Sequence, residues 1–295
     1  MPRTTIRKCL TMSTNIPSVF EKILLPIDFS EQSLMMLDCV AELRQFGSEE
    51  VVLLHVTQKD GKVANEQMRV VENIIKRLDE RGFKTRFASI EGDPASVIAE
   101  VAERESVTLV GMASSGKGRA HEFLLGSTSF GVLRKTAKPV LLNKLEVIED
   151  EGNRKVRRAC EFLFRTALVP IDLSICTDRM KDTLDHLSRK GLKNVVLLHV
   201  IESTKYGVGD DKRFAEVKAR MEELKKDLQS EDFVVSTHVH YGTPVYNILE
   251  VSKEVEASLI IIGRSGKSFL KGLALGSTSE EVIRRATVPL LVISC

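Results

Sequence analysis

A chain of 295 residues has room for about two domains with sizeable cores. With 43% hydrophobic and 28% charged residues it is composed like a globular protein, and 43 Lys plus Arg against 41 Asp plus Glu leave a formal charge of +2, too little to build a nucleic-acid footprint. Five cysteines (Cys9, Cys39, Cys160, Cys176, Cys295) without a C-x-x-C pair suggest neither a disulfide framework nor a zinc site, and a reducing, cytoplasmic setting is expected. The first residues, MPRTTIRKCLTMSTN, carry basic side chains but no apolar run behind them, and no later run has membrane-spanning length. Neither export nor a membrane partner is therefore expected. Residues 1–19 read as an N-terminal extension, with 1–11 a frayed tail or the product of an upstream start site.

From Phe20, FEKILLPIDFS reads as a strand closed by Pro26-Ile27-Asp28, with Ser30 placed to cap the helix that follows to Phe46. VVLLHV at 51–56 is a second strand, Lys62 to Gly82 an amphipathic helix, KTRFASIEG a third strand, and Asp93 to Arg104 a helix opened by Asp-Pro. SVTLVG makes a fourth strand. A glycine loop and a helix from Ser127 follow, and KPVLLNKL closes the set as a fifth strand. Lys144 to Arg158 is dense in charge and reads as a linker or a short solvated helix.

The order then repeats. Pro170-Ile171-Asp172 and LLHV at 197–200 match their counterparts at an offset of 144; Gly242 with Pro244, and Gly276, match Gly92 with Pro94, and Gly126, at 150. Matches this numerous indicate a tandem duplication, with domains at 20–145 and 164–295 and a charged linker at 146–163. Strands alternating with helices, and near-continuous apolar strands such as LIII, predict parallel sheets covered on both faces. Each fifth strand is apolar and lies at a sheet edge. Pairing of the two edges about a pseudo-two-fold axis would cover both, so that one chain mimics a dimer; further homodimerisation is left open.

The stretch Leu259 to Ser279, LIIIGRSGKSFLKGLALGSTS, is the chemical centre of this pattern. Gly263, Gly266 and Gly276 let backbone N–H groups approach an anion without a Cβ in the way, and Ser277, Thr278 and Ser279 place hydroxyls at a helix N-terminus. Ligands of open α/β sheets bind beyond the carboxyl ends of the strands, where the first strand's Asp and this loop would meet. Asp172 and Asp28 are candidates to accept from a ribose or base, or to help hold a cation; the alternative is a cap on the following helix. Neither glycine loop is a P-loop: Gly118 stands where the first would need Ser or Thr, and Ile261 where the second would need its leading glycine. His55 and His199 read as packed core histidines. His238 and His240 share a strand face but lack an evident third metal ligand, and Ser174 and Cys176 have no adjacent histidine to make a nucleophile.

The Pro-x-Asp strand end, the LLHV second strand and the G-x-x-G-x9-G-S/T loop together resemble the universal stress protein family. The resemblance implies two doubly wound parallel five-stranded sheets in strand order 3-2-1-4-5, a fold like that of the adenine-nucleotide alpha hydrolases. It also implies an ATP or AMP site, with magnesium as an optional companion. In that site Pro170, Asp172 and the backbone of Val200 would meet the nucleoside, Ile262 would line the pocket, and Gly263, Gly266, Gly276, Ser277, Thr278 and Ser279 would hold phosphates. In the first copy Pro26, Asp28, Val56, Gly116, Gly126 and Ser127 keep the pattern, but Ala113 replaces the leading glycine and its Cβ would crowd a ligand. A nucleotide-dependent regulatory module is the expected function. The alternatives are slow ATP hydrolysis or phosphoryl transfer in the same crevice, without a designated catalytic residue, and a nucleotide-independent interaction module. Protein partners are not named by the sequence.

Overall fold

The computed structural model describes residues 20–58, 61–114, 126–144, 146–150, 153–157, 163–174, 176–202, 211–264 and 275–294. The first half runs β1 (Lys22–Pro26), α1 (Glu31–Glu42), a 3-10 turn (Leu43–Phe46), β2 (Glu50–Thr57), α2 (Asn65–Asp79), β3 (Lys84–Glu91), α3 (Pro94–Arg104), β4 (Leu109–Ser114), α4 (Ser127–Lys135) and β5 (Val140–Lys144). The second half repeats it as β8 (Thr166–Pro170), α5 (Cys176–Arg189), β9 (Asn194–Ile201), α6 (Asp211–Leu228), β10 (Val234–Tyr241), α7 (Pro244–Glu254), β11 (Leu259–Gly263), α8 (Ser277–Arg285) and β12 (Leu290–Ile293). Both halves have the expected 3-2-1-4-5 order, parallel throughout.

The reason for alternation is visible at the turns. Gly92 and Gly242 have φ of 151° and 131°, and a Cβ there would lie 2.7 Å from Val97 and 2.9 Å from Asn247, so only glycine makes this strand-to-helix corner cheaply. Pro94 and Pro244 then open α3 and α7, where a missing N–H costs nothing because first-turn donors have no partner in the helix. Helices cover both faces. One core cluster packs alternate strand residues such as Leu25, Leu53 and Ile261 under α1, α2, α5 and α6; the other packs Leu24, Val52 and Ile262 under α3, α4, α7 and α8.

The two five-stranded sheets expected from the sequence are halves of a single ten-stranded sheet. β5 and β12 pair antiparallel, with Leu141 opposite Leu291, Leu142 opposite Leu290 and Val140 opposite Val292. Leu141 and Leu291 are counterparts at the repeat offset, so a local pseudo-dyad passes between them, and each covers the other's edge. Phe164 packs across the halves on Phe20 and Phe46, with ring centroids 5.6 and 3.9 Å apart.

The described residues of the charged segment between the halves are strands and not the short helix of the alternative reading. Residues Glu146–Asp150 and Asn153–Arg157, β6 and β7, pair as a two-stranded antiparallel sheet whose register sets Glu146 opposite Arg157 and Glu149 opposite Arg154. An acidic strand followed by a basic one favours such a pairing over helix. The cysteines also depart from expectation, since Cys39 and Cys176 are disulfide-bonded.

One polar group at the seam carries a measurable cost. Lys144 is fully buried, its Nζ donates to the Ile283 carbonyl at 2.8 Å, and burial pushes its ammonium down to about 8. Below that pH both the folded and unfolded chains hold the proton, so the folded state bears the whole desolvation cost. Between about 8 and the ordinary 10.5 only the unfolded chain retains it, so stability is expected to climb across this window by on the order of 3 kcal/mol. Urea unfolding at pH 7.5 and 10 should show the rise in the wild type and not in Lys144→Met.

Candidate functional site

The second-half site is assembled where β8 and β11 end side by side. Ile171 still donates to the Leu198 carbonyl (2.8 Å), after which the chain turns sharply: Leu173 has φ of 57°, a left-handed conformation that costs a branched residue energy. Phe29 repeats it at 62° in the first half, so the strained corner belongs to the Pro-Ile-Asp motif itself. This corner lifts Asp172 off the strand. Its Oδ1 accepts from the Ser174 N–H (3.0 Å) and hydroxyl (2.6 Å), whereas Oδ2 is buried without a hydrogen-bond partner among the described residues. The capping and ligand readings of this aspartate thus fall on different oxygens.

Opposite lies the start of α8. The Arg264 N–H donates to Ile293 and the Gly276 N–H to the Arg264 carbonyl, both at 2.8 Å, which pins the two ends of the glycine loop together. Gly276 is the N-cap and has no side chain to cap with, so the first-turn N–H groups of Ser277, Thr278 and Ser279 keep their hydrogen-bonding capacity for something outside the helix. Ser279 does not keep its hydroxyl: Oγ donates to the Gly263 carbonyl at 2.7 Å and ties α8 to β11. Arg264, only 4% exposed, has its guanidinium held below the ordinary range by desolvation. Its Nε and Nη1 have no partner among the described residues, so a positive charge sits within one residue of Gly263.

Between these two walls is a cavity of about 340 Å³. Pro170, Asp172, Val200 and Ile262 line it, as do Gly263, Gly276, Ser277, Thr278 and Ser279; Gly266 lies outside the described residues. The cavity also takes in Pro244 and, not singled out in the sequence, Thr177, Met180, Glu202 and Ile248. Pro244 was legible as half of the Gly-x-Pro repeat, but Glu202 follows a strand with no motif around it. His199 lines the floor and behaves as a packed histidine, its Nδ1 bonding the Ile171 carbonyl at 2.7 Å. A carbonyl only accepts, so Nδ1 carries the proton. His55 makes the same bond to Ile27 at 2.9 Å.

The first half is built differently around the same frame. Pro26 and Asp28 end β1, Val56 lies in β2, and Gly126 and Ser127 start α4, while Gly116 is outside the described residues. Asp28 is pushed up by burial but more strongly down by hydrogen bonds from Ser30 and Ser33, and ends below the ordinary carboxylate range. The helices flanking this crevice are drawn together: a Cβ on Gly131 would sit 2.6 Å from that of Ala95, and the Lys135 Nζ reaches Asp93 (3.3 Å) and Ser96 (2.5 Å). Their counterparts, Glu281, Val245, Arg285, Thr243 and Tyr246, have neither the small pair nor the acid. Of the remaining candidates, His240 bonds Asn247 at 3.1 Å, and no group of three His, Cys, Asp or Glu side chains converges among the described residues.

Comparison with known proteins bears on the family and the fold. The model of the Universal stress protein family matches residues 20–144 and again 163–294. A universal stress protein of Methanocaldococcus jannaschii is 32% identical over 155 residues, which is 43% of this chain and 96% of that protein. One from Mycobacterium tuberculosis is 25% identical over 241 residues and 77% of each chain. The crystal structure of a universal stress protein from Archaeoglobus fulgidus superposes with a TM-score of 0.70 at 26% identity, covering 94% of this chain and 98% of that one. With two family domains in sequence, one strand order in both and a solved relative matched along nearly its whole length, the chain belongs to the universal stress protein family, as a tandem member.

Proposed function

We propose that the second-half cavity binds an adenine nucleotide, ATP or AMP, and that the protein is a nucleotide-dependent regulatory module of the stress response. The observation that carries this reading is the pairing, within one cavity, of a buried and unpartnered carboxylate oxygen on Asp172 with the uncapped N-terminus of α8. An uncapped helix start seeks an anion and a lone carboxylate oxygen seeks a donor; a nucleotide supplies both, in its phosphates and its ribose hydroxyls or base amino group. A volume of about 340 Å³ is at the small end of ligand pockets, enough for a nucleoside with the phosphates passing out over the loop. Val200 presents backbone to the adenine edge, and Ile262 and Ile248 supply its apolar walls. Magnesium would arrive on the phosphates rather than in a protein cage, since at most Asp172 and Glu202 offer it carboxylates here. The units 20–145 and 164–295 are proposed as the two domains, with the first as the degenerate copy.

Calorimetry with ATP and AMP tests the reading directly. The wild type is expected to bind one nucleotide per chain. Gly276→Glu, which sets a carboxylate at the helix start, is expected to lose at least about 100-fold in affinity through charge repulsion and loss of the backbone donors. A wild type that binds neither nucleotide, and carries none through purification as judged by mass spectrometry, overturns it.

A further inference from the structure

Helix α8 is held by the other half of the molecule at both of its ends. In its first turn Glu280 meets Arg134 of α4 at 3.2 Å. In its last turn the Ile283 carbonyl, one of the four that a helix cannot satisfy internally, accepts from Lys144 of β5 at 2.8 Å. Between them Phe130 of α4 takes the guanidinium of Arg284 over its ring, 4.3 Å from the centroid, and that of its own Arg134 at 4.6 Å. The arrangement is not reciprocal. At the repeat offset the counterpart of Lys144 is Ser294 and that of Phe130 is Glu280, so the lysine and the ring have no counterparts on the second half.

Lys144 is a poor stabiliser. It is a fully buried ammonium whose bond goes to a neutral carbonyl, and a buried charge with no countercharge among the described residues is usually better replaced by an apolar side chain. Its position gives it another effect. A cation at a helix C-terminus opposes the negative end of the macrodipole, and α8 points its positive end into the cavity.

We propose that the first half acts as a brace for the second half's phosphate cradle, and that Lys144 is a positioning residue that raises phosphate affinity through α8. This rests on the nucleotide reading above. The nine-residue helix is about 13 Å long, and over ~15 Å, at an effective dielectric constant between the ~20 of a protein site and the ~80 of water, a unit charge acts on each phosphate charge by roughly two-fold. The effect therefore grows with the number of phosphates.

The experiment is calorimetric titration of the full chain with ATP and with AMP, on wild type, Lys144→Met and Lys144→Gln, beside thermal unfolding of each. Both variants are expected to bind ATP about 10-fold more weakly and AMP no more than about 3-fold more weakly, with an unfolding temperature equal to or above that of the wild type. Unchanged ATP affinity in both variants overturns the proposal while leaving the nucleotide site intact. Equal losses for ATP and AMP that track a lowered unfolding temperature also overturn it, because they mark a structural role alone. A wild type silent to both ligands overturns this proposal and the nucleotide reading together.

Discussion

Leu291→Asp is expected to abolish the folded state at 25 °C or to lower its urea midpoint by more than half. Leu291 is fully buried at the junction strand β12, directly opposite Leu141, which is 1% exposed. A carboxylate there would lie among the apolar side chains of the core cluster. It must either stay charged at a cost of several kcal/mol or take up a proton and still leave its oxygens unpaired. Against a typical margin of 5–15 kcal/mol, roughly half of the stability is lost through one side chain. Leu291→Ala is the calibrating variant: it removes packing without adding charge and should cost about 2–5 kcal/mol. The comparison also reads out the seam. If Leu291→Asp unfolds with the wild-type midpoint, the ten-stranded sheet is not the solution architecture and the two halves fold apart.

Asp172→Asn is expected to weaken nucleotide binding by about 10- to 100-fold with little change in stability, the range of a hydrogen bond to a charged acceptor. Asparagine keeps the Oδ1 acceptor that receives the Ser174 N–H and hydroxyl, so the strained corner at Leu173 should hold its shape. What it replaces is Oδ2, the buried oxygen without a partner, by an amide that donates instead of accepting. Calorimetry on the variant checks the prediction, and circular dichroism confirms that the fold is kept. The same variant separates binding from turnover. If wild-type protein releases phosphate from ATP with saturation, and Asp172→Asn stops the release while binding as before, the aspartate acts on the reacting phosphate and slow hydrolysis becomes the better description.

Much of this molecule is legible because its information is local. Period-two and period-3.6 patterns set the strands and helices, and the glycines at 92 and 242 and the prolines at 94 and 244 mark corners whose backbone geometry few other residues accept. The residues that line the second-half cavity were legible for the same reason: Pro170 to Asp172 ends one strand, Gly263 ends another, and neighbouring parallel strands bring their ends together. Glu202 and Thr177 escaped notice because nothing in their immediate surroundings differs from an ordinary surface loop or helix start. The strands at 146–150 and 153–157 escaped because their signal is the register of two segments against each other, which composition registers only as a charged run.

The sequence by itself determines the duplication, the strand order implied by its resemblance, and the helix whose start has a glycine and no capping side chain. Only the tertiary structure decides how one half serves the other. That Leu141 meets Leu291, that Lys144 reaches the last turn of α8, and that one oxygen of Asp172 is spent on Ser174 while the other is left unpartnered are facts of contact between residues far apart in the chain or of a single torsion angle. Spacing along a sequence encodes which face a residue occupies. Which partner awaits it there depends on the edges and cavities that appear only once the whole chain has closed on itself.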